Sequence, residues 1–141
     1  MRTHYWRWNG HQPSAFRGRA LDAFSRVITD GIKKNILFGP DGYGAPTIGE
    51  SEIAFNGNAG VHEDMETFSL TGDLGYCKTM GIVRGLMPYD DYVTACLLVV
   101  KCFWPKCRVT SDGGADDWRA GEEIFERVTG LKVDLSFLEE K

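Results

Sequence analysis

The stretch FNGNAGVHEDMETFSL, residues 55 to 70, gathers side chains suited to proton transfer: His62 with Glu63, Asp64 and Glu66. General acid–base chemistry needs a group that titrates near neutrality beside a carboxylate that orients it or shifts its pKa. A histidine among carboxylates meets that composition. If the chain is extended here, His62, Asp64 and Glu66 point one way and lead into Phe68 and Leu70 on the same face. The catalytic reading is a small hydrolase or transferase with His62 as base and Glu63, Asp64 or Glu66 orienting it or binding metal. The competing reading, a solvated polar turn between two strands, takes the larger share.

A second cluster lies at the N-terminus, where Tyr5, Trp6, Arg7, Trp8, Arg17 and Arg19 combine planar faces with fixed cations. Such residues stack a base and hold phosphate oxygens through forked hydrogen bonds. Trp6 and Trp8 fall on one face of a strand, which core packing explains without a ligand. Tyr5 and Arg7 fall on the other face and still need a partner. With Asn56 and His62 added from the first cluster, the candidate ligand-binding set is Tyr5, Arg7, Arg17, Arg19, Asn56 and His62.

Other chemistries find less support. His4, His11, His62 and the four cysteines show no recognised metal-ligand spacing, and Cys77, Cys96, Cys102 and Cys107 form no C-x-x-C. No metal or cofactor is expected, and the thiols read as reduced. There is no G-x-S-x-G elbow, and no serine or cysteine is locally paired with a histidine. GPDGYGAP, residues 39 to 46, lacks the Lys-Ser/Thr end of a phosphate-binding loop. Thr110-Ser111-Asp112-Gly113-Gly114 makes another polar rim. Asp112, Asp116 and Asp117 there favour a cation or a hydroxyl over an anion.

At 141 residues and 43% hydrophobic content the chain is expected to form one domain, residues 1–141, around one core. The longest apolar run, Ala95 to Val100, is far short of the roughly 20 residues of a membrane span, and the first residues hold no apolar signal region. A soluble, cytoplasmic protein is expected. Residues 1 to 38 hold seven Lys and Arg against two Asp, although the whole chain carries a net charge of −4. One end could therefore attract a small anion while the molecule repels bulk nucleic acid.

The elements that must position these residues follow from periodicity. THYWRW alternates and predicts a strand. Pro13-Ser14 predicts a helix start, with Ser14 as N-cap, Phe16, Ala20, Ala23, Phe24, Val27 and Ile28 as the apolar stripe, and Gly31 as a candidate left-handed stop, the alternative being a helix that runs on through Lys33 and Lys34. Residues 38 to 50 read as a loop, and EIAFNG and METFSLTG as an antiparallel pair. The clearest element runs from about 89 to 104. It opens on Pro88-Tyr89-Asp90-Asp91, is apolar nearly all round, and is ended by Pro105, so it must be central and buried. CRVTS predicts a strand, WRAGEEIFERVTG an amphipathic helix stopped by Gly130, and LKVDLSFL a last strand or extended tail. The sum is an α+β fold, a mainly antiparallel sheet packed against about three helices.

Three stretches together carry a resemblance: IAFNG with His62-Glu63 and Thr67-Phe68; Tyr76-Cys77-Lys78-Thr79 with Pro88-Tyr89-Asp90; and Arg108-Val109-Thr110-Ser111-Asp112-Gly113 with Trp118. Over about residues 53 to 118 the chain resembles small uncharacterised proteins encoded by bacteriophages and prophages, with MGIVRGLM as an insertion. The resemblance brings no activity. It implies an accessory product acting in the host bacterial cell, where such proteins block, sequester or modify a host component.

The expectations rank in three steps. First stands a non-enzymatic binder, capable of forming a homo-oligomer, that holds a small nucleotide-like anion or docks on a host protein. Second stands the His62 enzyme. Sequence-specific DNA binding comes third, because the balance is acidic and no basic recognition helix is evident.

Overall fold

A computed structural model describes residues 1–139. Its backbone is a four-stranded antiparallel sheet, a second small sheet and three helices. The alternation of THYWRW produces β1 (Arg2–Arg7), with His4 and Trp6 buried and Tyr5 and Arg7 exposed. The amphipathic stripe forms α1 (Gly18–Lys33), which buries Ala20, Ala23, Phe24, Val27 and Ile28. The small sheet pairs β2 (Thr47–Ile48), β3 (Ile53–Phe55) and β4 (Phe68–Ser69) in that order, so the expected antiparallel pair forms.

The remaining elements are β5 (Leu74–Gly81), β6 (Gly85–Leu86), α2 (Asp90–Phe103), β7 (Arg108–Ser111) and α3 (Arg119–Thr129). The main sheet runs β6-β5-β1-β7. This is the expected α+β architecture, and α2 is its centre. Every residue from Tyr92 to Val100 is at most 1% exposed, and α1 and α3 pack on its flanks. Burying each Leu or Val of this helix stabilises the fold by about 1.5–3 kcal/mol. Asp90 and Asp91 occupy its first turn, where carboxylates complement the helix dipole. Trp104 and Pro105 follow its end.

Three local expectations need correction. Ser14 does not cap α1. The amide of Phe16 donates to the carbonyl of Glu50 at 2.7 Å, so residues before Gly18 are tied to the loop ahead of β3, and Phe16 lies before the helix and packs its buried ring on Phe24 and Trp104. Gly31 does not stop α1 but lies inside it, where a Cβ would sit 2.5 Å from Leu37 Cγ; the left-handed residue is Asn35, at φ 63°. LKVDLSFL forms no strand: Asp134 Oδ1 accepts from the amide of Ser136 at 2.8 Å and leads into a short 3-10 turn, Leu135–Glu139, burying Leu135, Phe137 and Leu138. The stretch MGIVRGLM forms the end of β5, a turn and β6.

The strand β5 is the main element that periodicity missed. It pairs with β1 from Arg2↔Met80 to Arg7↔Leu74. Its Gly75, a breaker by composition, faces Trp6, and a Cβ there would lie 2.5 Å from indole Cε2 and Cζ2. The missing side chain is what lets the indole close against the sheet.

Candidate functional site

Strand β1 separates two groups of polar side chains, one on each face. On the outer face Tyr5 lies opposite Tyr76 of β5 and Thr110 of β7, while Arg7 lies opposite Leu74 and Arg108. These residues, with Trp6 and Gly75, line an open cleft of about 360 Å³. Tyr5 and Tyr76 are 44% and 59% exposed, leaving ring faces available to a ligand. Among the described residues, no ion pair engages Arg7 or Arg108. Two guanidiniums opposite each other on neighbouring strands repel, and among the described residues no carboxylate lines the cleft to offset them.

The inner face carries a buried network. His4 Nε2 lies 2.7 Å from Asp90 Oδ1, and His4 Nδ1 lies 2.8 Å from Ser111 Oγ. Thr79 Oγ1 donates to Asp90 Oδ1 at 2.6 Å, and Arg2 donates to Asp90 Oδ2 at 3.1 Å and to Asp117 Oδ1 at 2.9 Å. Burial alone would raise the pKa of Asp90, but the hydrogen bond and charge of His4, the Thr79 hydroxyl and the Arg2 guanidinium together hold it below the usual carboxylate range. Its neighbour Asp91 is pushed the other way, by burial and by the charge of Asp90. The ring of Trp118 meets His4 edge-on, with centroids 5.4 Å apart.

Of the residues singled out in the sequence, the fold brings together Tyr5 and Arg7. Arg17 is 74% exposed and pairs with Glu50 at 2.6 Å, and Arg19 is an exposed residue of the first turn of α1. Asn56 is 3% exposed and fully engaged: its amide donates to the carbonyls of Pro40 and Met65, and its oxygen accepts from the amides of Gly57 and Met65. It organises the turn and leaves no polar atom for a ligand.

His62 closes a 3-10 turn, Ala59–Val61, in left-handed conformation at φ 59°, and its carbonyl accepts from Arg84. Arg84 also reaches Asp64 at 3.3 Å. It sits in the hairpin beyond Gly81, at one end of β5, whereas Arg7 opposes Leu74 at the other. The histidine loop and the arginine strand therefore do not share a pocket. Glu63 donates its amide to the Asn58 carbonyl, and Glu66 Oε1 accepts the amide of Lys78 at 2.6 Å, clasping β5.

Sequence reading missed Arg108 and Tyr76 on the outer face, and His4, Asp90 and Ser111 as a connected set. The available signal was the inward position of His4 in the β1 alternation: a histidine sharing a buried face with two tryptophans requires hydrogen-bond partners. The described helices include none long and apolar enough to cross a membrane. Among the described residues no group of three or more His, Cys, Asp or Glu is placed to hold a metal ion. Comparison with protein-family models, curated proteins and solved structures finds no match.

Proposed function

We propose that the protein binds a small planar anion of the nucleotide class on the outer face of β5-β1-β7. One observation carries this reading: Arg7 and Arg108 face each other without a carboxylate, directly beside the exposed Tyr5–Tyr76 pair. A phosphate between the guanidiniums would offset their repulsion through charge-assisted hydrogen bonds, and a base would stack on the tyrosines. The volume of about 360 Å³ suits a mononucleotide. The acidic overall charge disfavours long nucleic acids, whereas a local pair of cations suffices for one phosphate.

Thermal-shift and calorimetric titration against a panel of nucleotides and inorganic phosphate tests this. Arg7→Ala and Arg108→Ala should each weaken binding at least about tenfold, the loss of one hydrogen bond to a charged group. Arg17→Ala, altering a cation that pairs with Glu50 outside the cleft, should leave binding unchanged. Absence of stabilisation by every nucleotide rejects the proposal. Docking on a host protein is the second reading, favoured by Ile82 and Val83 at the hairpin tip, 87% and 96% exposed. Val83→Asp would abolish such docking and leave nucleotide binding intact.

A further inference from the structure

The anion cleft makes no use of the chain Ser111–His4–Asp90 on the inner face of the sheet. Its parts come from β7, β1 and the first turn of α2, and the pairing His4↔Ser111 in the β1–β7 ladder sets the hydroxyl against the ring. The hydrogen-bond partners select one tautomer of a neutral His4 ring. Asp90, ionised and surrounded by donors, can only accept, so His4 Nε2 carries the hydrogen it points at Oδ1. In the neutral ring, the form a general base requires, His4 Nδ1 is then a lone pair. Ser111 Oγ accepts the amide hydrogen of Gly113 at 3.0 Å, which leaves its own hydrogen free to be donated to that lone pair, 2.8 Å away.

Burial is graded along the chain. His4, Asp90 and Thr79 are 0%, 1% and 0% exposed, whereas Ser111 is only partly buried. A half-buried hydroxyl, a fully buried base behind it and a fixed carboxylate behind the base is the order of groups that activates a serine. Asp90 would be satisfied by Arg2 and Thr79 without a histidine, so cross-linking the carboxylate does not require the Ser111–His4 step.

We propose that Ser111 is a nucleophile toward activated acyl and phosphoryl esters, with His4 as general base and Asp90 as the group that orients it. In acyl transfer Ser111 Oγ bonds to the carbonyl carbon while its proton passes to His4 Nδ1. The carbon–oxygen bond of the leaving group then breaks, and the departing oxygen takes that proton. Water repeats the sequence on the acyl-serine, so an ester and water give an acid and an alcohol. Thr110 lines the outer cleft and Ser111 turns inward, so this site and the anion cleft stand or fall separately.

The full chain is treated with an alkyl fluorophosphonate and read by intact mass and peptide mapping. The oxygen–phosphorus bond forms, the phosphorus–fluorine bond breaks, and fluoride leaves. One adduct per chain is expected, on Ser111. Ser111→Ala should remove it, and His4→Gln should slow it on the order of 100-fold or more, the contribution of a positioned base. Unfolding in urea before the probe is added should abolish labelling, which reports on the network without a substitution in the core. No adduct on the folded chain, an adduct on Tyr5 or Tyr76 that survives Ser111→Ala, or labelling of Ser111 indifferent to urea each overturns the proposal.

Discussion

Arg7 of β1 stands directly opposite Arg108 of β7, two like charges facing each other across neighbouring strands on an open sheet face. Such a pair opposes folding unless something negative lies between. The free protein therefore carries a repulsion that the proposed ligand would remove. Arg108→Glu should reverse it, stabilising the unliganded chain by about 0.2–1 kcal/mol while abolishing nucleotide binding. Urea unfolding with and without ligand measures both signs in one protein. A variant less stable than the parent in the absence of ligand would mean the two guanidiniums are not in conflict.

Gly75 and Trp6 define a second relationship. The indole occupies the space of the absent Cβ, so Gly75→Ala forces a shift of either the ring or β5. A loss of about 1–3 kcal/mol is expected from overpacking at this site. The cleft should deform with it, because Trp6 and Gly75 both line that cleft. Ligand affinity measured on the still-folded fraction should drop together with stability.

Those two relationships also show what the sequence could reveal. The burial of α2 was legible because ten near-consecutive apolar residues leave a helix no solvent-facing side. The outward direction of Tyr5 and Arg7 was legible from a period of two. Their partners were not: β5 contains Gly75 and Gly81, which read as breakers, and the reason a glycine suits position 75 is a tryptophan 69 residues away in the chain. Likewise Asp90 reads as a dipole-complementing first-turn residue until His4, 86 positions earlier, is seen to bond to it at 2.7 Å. Long-range pairing created both constellations of side chains, and periodicity reports only local direction.

Asp90 links Arg2, His4 and Thr79 from two strands to the start of α2. Asp90→Ala leaves three buried or half-buried donors without their acceptor. A destabilisation of about 3–5 kcal/mol follows, as for other buried pairs broken from one side. Thr79→Val removes a single hydrogen bond to the carboxylate and should cost about 1.5–3 kcal/mol. Denaturant titration of both variants checks the order. Equal losses would show that the histidine and arginine contacts add nothing beyond the threonine.

Two carboxylates also set the response to acid. Arg127 holds Asp30 through hydrogen bonds of 2.9 and 3.2 Å, against a smaller opposing effect of burial, and Tyr92 and Lys34 assist, so its pKa lies well below the ordinary value. Asp90 is lowered as well. A carboxylate with a depressed folded-state pKa contributes stability that is fully present above its unfolded value near 3.9 and is lost as pH falls through the folded value. Asp91, shifted upward, acts with the opposite sign and offsets part of the loss. The melting temperature should therefore vary little between pH 7 and about 5 through these groups and decline below about 4. Arg127→Met removes the main partner of Asp30 and should move the acid midpoint to higher pH. An unchanged midpoint in that variant would show that Asp30 is held by Tyr92 and Lys34 alone.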